Sequence, residues 1–334
     1  RNLSDTARNG QQTNLDRIVE AMGISDLDQT ERITASINNF YTGPYHHLQS
    51  CIQPVAGAAD LIHQLRDAGY TLVIATNPFY PTTAIQERMV WGGLPTDDDL
   101  YALITGADVM HFCKPDPAYY AEILGRVGVE PDEAIMIGDS QRNDIRPAQT
   151  LGIRTYHLSG QQTLHGFTDH ITQQLDLKPP HLSPAMIAPQ LRGNIGALYG
   201  FLSAVKNDYW QQRPDPNEWS ILQILCHLVD AERTSERPRL QRIASEDNPF
   251  IAAPPEPGAD IPVCNDDGYQ IAQQLTQERQ QTITFVNSLA TADWGRRARH
   301  SIFGLTTLLE MAHFTAQHDR LHLNQLCQTI GRCR

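Results

Sequence analysis

Five polar residues in the first half of the chain have the types and order that phosphoryl chemistry needs: Thr76 and Asn77 in VIATNP, Lys114 in KPDPAYY, and Asp139 and Asp144 in IGDSQRND. A hydroxyl and an amide just beyond a strand can donate to phosphoryl oxygens. A lysine can neutralise the charge of the group in transit, and two carboxylates flanking a short turn offer the hard oxygens that hold magnesium. The second half carries a different set. In MAHFTAQHDRLHLNQL, His318 and His322 stand four residues apart, about 40° around a helix, so both project from one face and can share a metal. His313 lies roughly 140° from His318 on the same helix and is left out of the site. The third ligand expected is His227 in WSILQILCHLVDAER, on the flank of the apolar stripe of Ile221, Ile224, Leu225 and Leu228. Three imidazoles with open positions suit zinc, nickel or iron.

These residues need elements to hold them. In an open α/β sheet, ligands bind beyond the carboxyl ends of the strands. Strands are expected at Thr71 to Thr76, Ala134 to Ile137 and Ile153 to His157. Helices are expected at Ala58 to Ala68, Thr82 to Trp91, Ala118 to Val127 and Asp144 to Leu151, each with a glycine close after its end. That alternation predicts a doubly wound α/β domain with a parallel sheet. Residues 1 to about 50 show helical periodicity without a strand, as a small helical cap over such a sheet would. Three prolines, Pro179, Pro180 and Pro184, mark residues 178–185 as a linker. Beyond it the strand signal disappears, and four helices are expected, about Ala185 to Trp210, Ser220 to Ala244, Asp267 to Leu289 and Leu305 to Ile330. The second domain, 186–334, therefore reads as an all-α four-helix bundle after an α/β domain at 1–177.

Composition narrows the classes of function. At 334 residues the chain has room for two cores. A formal net charge of −12 opposes binding to a phosphate backbone, and no basic stripe overcomes it, so nucleic acid is not an expected partner. No apolar run approaches the roughly 20 residues that span a bilayer. The first residues lack a signal-peptide pattern, so the expectation is a cytoplasmic protein with no membrane partner. The six cysteines show no CxxC spacing and are expected as free thiols. Oligomeric state is open, a homodimer included.

The ordered set Thr76, Lys114 and GDSQRND closely resembles the second, third and fourth motifs of the haloacid dehalogenase-like hydrolases, over roughly residues 1 to 175. The resemblance implies that Thr76 binds the transferring phosphoryl group and Lys114 neutralises charge between nucleophile and phosphate. It further implies that Asp139 ligates Mg²⁺ and Asp144 supports that site. It implies a small phosphorylated substrate, and the acidic pair favours a phosphatase over a dehalogenase. The departure concerns the start. The family attacks with an aspartate of a DxDx[TV] motif on the first core strand, and this sequence has no such strand; Asp5 follows no apolar run and reads as a loop residue. The expectation is that the natural chain extends before Arg1. The alternative is a degenerate, regulatory domain.

Across residues 185 to 330, the histidine pattern, with Trp219 ahead of the second helix and the ending HLNQL, resembles the DinB-like family of helical metal-binding proteins. That resemblance implies a divalent transition metal held by His227, His318 and His322.

Overall fold

The computed structural model describes residues 8–24, 26–97, 99–159, 164, 167, 181–206, 208–253 and 267–333. The chain forms two compact units, with the main break in sequence at Pro180–His181. Asp5 and most of the expected linker lie outside the described residues.

The first unit opens with helix α1 (Asn14–Ala21), started by a reciprocal cap between Thr13 and Asp16, then α2 (Leu27–Tyr41) and a tight helical run at Pro44–Cys51. This helical segment packs Tyr45, with Tyr41 and Ile52, against Ala84 and Trp91. There follow α3 (Ala58–Asp67), β1 (Val73–Ile74), α4 (Thr82–Trp91), β2 (Leu103–Ile104), α5 (Pro117–Val127), β3 (Ile135–Gly138), α6 (Arg146–Thr150) and β4 (Arg154–His157). Parallel strands need a crossover, and α4 and α6 supply it. β1 pairs with β2 (Val73 opposite Leu103) and β3 with β4 (Ile135 opposite Arg154, Gly138 opposite His157), both parallel. Among the described residues no ladder joins the two pairs. Strand β2 is an addition to the sequence reading, because two residues leave no periodic signal. Behind β3 and β4, Leu61, Tyr156 and Phe167 form a core with Ile135 and Ile137.

Among the described residues the second unit holds four long helical stretches. These are α7 (Ile187–Leu202), α8 (Ile221–Ala231) running on into α9 (Arg237–Ser245), α10 (Gly268–Ser288) and α11 (Leu308–Arg332). Between α8 and α9 the helix continues through one widened turn, Glu232–Glu236. An extra residue in a turn rotates the remainder of the helix, and here both ends of the turn, Glu232 and Glu236, are buried. Helix α8 starts with the reciprocal cap of Ser220 and Gln223, as the sequence suggests.

Two readings of this half are corrected. It does contain strands: β5 (Phe250–Ile251), β6 (Arg297–His300) and β7 (Gly304–Thr307) form a small sheet ordered β5-β6-β7. In β6, Ala298 and His300 are buried while Arg297 and Arg299 are exposed, a period-two pattern too short to stand out beside long helices. The last helix consequently begins at Leu308, after the cap formed by Thr307 and Glu310. The second correction is Cys226, which is disulfide-bonded rather than free. Pairing between cysteines distant in sequence leaves no spacing signature. Cys51, Cys113, Cys327 and Cys333 are outside any disulfide.

Candidate functional site

In the first unit the five polar residues gather where β1 and β3 end. Lys114 is the tie. Its Nζ donates to the Ala75 carbonyl just past β1 (2.8 Å) and to Asp144 Oδ1 after β3 (2.6 Å). Both side chains are buried, so this is a desolvated ion pair linking the ends of two separate strand pairs. Burial lowers the Lys114 pKa, while the hydrogen bond and charge of Asp144, then the charge of Asp139, push the other way. Asp144 Oδ2 accepts from the Ser140 amide at 2.9 Å. The glycine of GDSQRND answers to the same side chain: a Cβ on Gly138 would meet an Asp144 carboxylate oxygen at 2.6 Å. Asp139 is exposed, and its carbonyl meets His157 Nε2 at 3.0 Å.

Thr76 is held by the neighbouring strand end. Its hydroxyl donates to the Thr105 carbonyl (2.8 Å) and its amide to Thr105 Oγ1 (2.8 Å), so the side chain knits β1 to β2. The buried Asn77 Oδ1 has no hydrogen-bond partner among the described residues. Sequence reasoning missed two tyrosines in the segment KPDPAYY. Tyr119 donates to the Thr76 carbonyl (2.6 Å) and Tyr120 to the Asn143 carbonyl (2.8 Å), and both rings lie under Lys114 Nζ, at 5.7 and 5.9 Å. Burial raises both phenol pKa values, so these remain hydrogen-bond donors. A tyrosine pair opening a helix directly after the lysine was the available signal.

In the second unit His227 on α8 and His318 and His322 on α11 converge. The Nε2 atoms of His227 and His322 lie 3.5 and 3.2 Å from Nε2 of His318, and one ligand atom from each ring falls within 4.8 Å of the others. His322 Nδ1 donates to Gln325 Oε1 at 2.9 Å. Trp219 stacks on His322 (6.0 Å, 7° between planes) and meets His227 edge-on at 5.0 Å. Phe314 stacks by His318 at 6.5 Å. Burial, then the neighbouring imidazole, depresses His227 to about 4. Burial and the two neighbouring rings depress His318 to about 3, and burial also lowers His322. At neutral pH three uncharged imidazoles face each other. His313 lies apart, its Nδ1 at 3.3 Å from Gln190 Oε1.

Beneath this cluster runs a charged layer that hydrophobic periodicity could not disclose. Arg279, wholly buried on α10, meets Glu232 (2.7 Å) and Asp319 (2.6 Å). Glu232 also accepts from Thr282, and Glu236 pairs with Arg239 and accepts from Thr315. Burial raises the pKa values of all three carboxyls against the pull of the arginines. An adjoining cavity, lined by Asn194, Leu228, Arg279 and Asp319 among others, measures about 10 Å³, enough for one water and no substrate.

Comparison with known proteins separates the same two regions. Residues 4–158 match the haloacid dehalogenase-like hydrolase family and residues 190–326 the DinB superfamily. The chain joins a haloacid dehalogenase-like domain to a DinB-like four-helix domain. It is 28% identical to a phosphoglycolate phosphatase of Mesorhizobium japonicum over 152 residues, 45% of this chain and 60% of that protein. A phosphoglycolate phosphatase of Colwellia psychrerythraea is 28% identical over 153 residues, 45% of this chain and 65% of that one. The chain thus spans less than two thirds of the length of these relatives. Among solved structures, YfiT from Bacillus subtilis, described as a probable metal-dependent hydrolase with an unusual four-helix bundle topology, is similar with a TM-score of 0.39 and 15% identity, covering 47% of this chain and 94% of that one. No described helix of either domain is long and apolar enough to cross a membrane.

Proposed function

We propose that the DinB-like domain holds one divalent transition metal at His227, His318 and His322, and that the haloacid dehalogenase-like domain hydrolyses a small phosphorylated substrate with Mg²⁺. The observation that carries the first part is the convergence of three uncharged imidazoles from two helices. Imidazole nitrogen suits zinc, nickel or iron, and three ligands leave positions open for a further ligand. A metal there would supply Lewis acidity to whatever occupies those positions. The residues around it do the rest: Trp219 and Phe314 shield the rings from water, and the low histidine pKa values keep the ligands unprotonated. The test is metal content per chain after purification with and without His318→Ala. One equivalent falling to none supports the reading; unchanged stoichiometry defeats it.

For the phosphatase reading, support comes from Lys114 at the junction of the strand ends and from the exposed carboxylate of Asp139 beside it. Asp139 is the ligand offered to Mg²⁺. Asp144, with both oxygens engaged, anchors Lys114, and Asn77 presents an amide at the same strand end. Lys114 would neutralise a phosphoryl oxygen. Identity to phosphoglycolate phosphatases over this domain adds weight toward a small phosphorylated acid. Mg²⁺-dependent release of phosphate from a generic phosphomonoester by the natural protein, abolished in Asp139→Asn, is the expected result.

A second reading rests on a specific feature: the Thr76 hydroxyl is engaged by Thr105 and Lys114 by Asp144, so two of the five polar residues at the strand ends are already committed within the domain. In that reading the domain binds or regulates without turning over. A natural protein inert toward phosphomonoesters and dehalogenation substrates, yet retaining its bundle metal, would select it.

A further inference from the structure

Two features of the second domain, Trp219 and the glutamine of HLNQL, are not accounted for by the three ligands themselves, and both converge on His322. Gln325 stands three residues beyond it, on the same side of α11, and its Oε1 lies 2.9 Å from His322 Nδ1. A carboxamide oxygen only accepts, so the imidazole must carry its proton on Nδ1, which leaves the lone pair on Nε2 facing His318. On the other face the indole of Trp219 lies nearly parallel to the ring, 7° between planes. His318 lacks such support: its buried Nδ1 has no hydrogen-bond partner among the described residues. A neutral imidazole without a fixed partner moves its proton between two nitrogens and turns about its bonds, and either freedom removes the lone pair from the centre.

We propose that Gln325 is a positioning residue that fixes the tautomer and the direction of His322, with Trp219 as the plate that holds the ring, and that the metal affinity of the DinB-like domain depends on this pair. The inference rests on the three-histidine reading above. Its chemistry is specific. Glutamine orients the ring without adding a charge of its own beside the three neutral ligands.

The probe is zinc itself, titrated into metal-free protein against a chelating indicator, for wild type, Gln325→Leu, Gln325→Glu and His318→Ala. Gln325→Leu keeps the size and loses the acceptor, and affinity is expected to fall roughly 10–100-fold. Gln325→Glu keeps an acceptor at the same reach and is expected to bind at least as tightly as wild type. Nitrogen NMR of the metal-free protein should show His322 protonated at Nδ1 in wild type and a mixture in Gln325→Leu. Thermal unfolding of the metal-free variants, unchanged, shows that the fold is intact. Wild-type affinity in Gln325→Leu, with zinc still lost in His318→Ala, would overturn this inference alone. Zinc retained in His318→Ala would remove the ligand set and the inference together.

Discussion

The two candidate centres of this chain are built on opposite principles. In the DinB-like domain three neutral rings meet with a nitrogen of each within 4.8 Å of the others. In the haloacid dehalogenase-like domain the charged residues have found one another: Lys114 holds Asp144, Thr76 is tied to Thr105, and two tyrosines staple the loops. The first arrangement satisfies the backbone locally and keeps its side chains for a ligand; the second commits Lys114, Asp144 and Thr76 to neighbours and leaves Asn77 Oδ1 without a partner among the described residues. Helices explain part of this. An α-helix meets its hydrogen-bond demand internally, so α8 and α11 can present histidines without committing them, whereas strand ends leave carbonyls that recruit the nearest donors.

The comparison breaks most sharply if a single ring is removed. His318→Ala should abolish stoichiometric metal while leaving the first domain untouched, which elemental analysis and phosphatase assay together check. Next in size is the charged layer below the rings. Arg279→Met strands the buried carboxylates of Glu232 and Asp319, and a loss of about 3–5 kcal/mol in denaturant stability is expected. The corresponding change above the strand ends, Lys114→Met, should cost less, roughly 1.5–3 kcal/mol, because it leaves one carboxylate, Asp144, without its cation rather than two. Equal losses at the two sites would erase the distinction between the two centres. Ser220→Ala, which removes half of the cap that starts α8, should cost about 1 kcal/mol without altering metal affinity.

The histidine cluster also predicts a pH dependence of the bundle. His227 and His318 are depressed from 6.5 to about 4 and about 3, so below 6.5 the unfolded chain binds protons that the folded, metal-free bundle refuses. Their contribution to stability is complete above about 6.5 and is lost as pH falls toward 4 and then 3. The raised carboxyls of Glu232, Glu236 and Asp319 act in the opposite sense, so the histidine contribution is read as a difference: denaturant midpoints of metal-free protein should fall more steeply toward acid in wild type than in His318→Ala. An unchanged slope would mean that the rings are already solvated.

Local patterns made much of this legible. The HxxxH spacing needed only helical geometry, and the cap of Ser220 with Gln223 needed only a three-residue offset. The short turn expected between Asp139 and Asp144 is a widened helical turn at Gln141–Ile145. The four long helices of the bundle were readable for the same reason, since each carries its own apolar stripe over many turns. The strands were read less well: β2 has two residues, and the β5-β6-β7 sheet is shorter than any reliable alternation.

The sequence by itself determined the division into an α/β and a helical domain, the residues able to do chemistry, and the pairing of His318 with His322, because these depend on periods of two and 3.6 residues. His227 was named as the third ring from the sequence, and the structure brings it to the pair; only the tertiary structure decided that Arg279 meets Glu232 and Asp319, that Tyr119 and Tyr120 brace Lys114, and that the Thr76 hydroxyl turns toward Thr105. Each of these joins residues far apart along the chain, where the choice of partner is made by burial: a polar group removed from water takes whichever donor or acceptor the packing brings within reach.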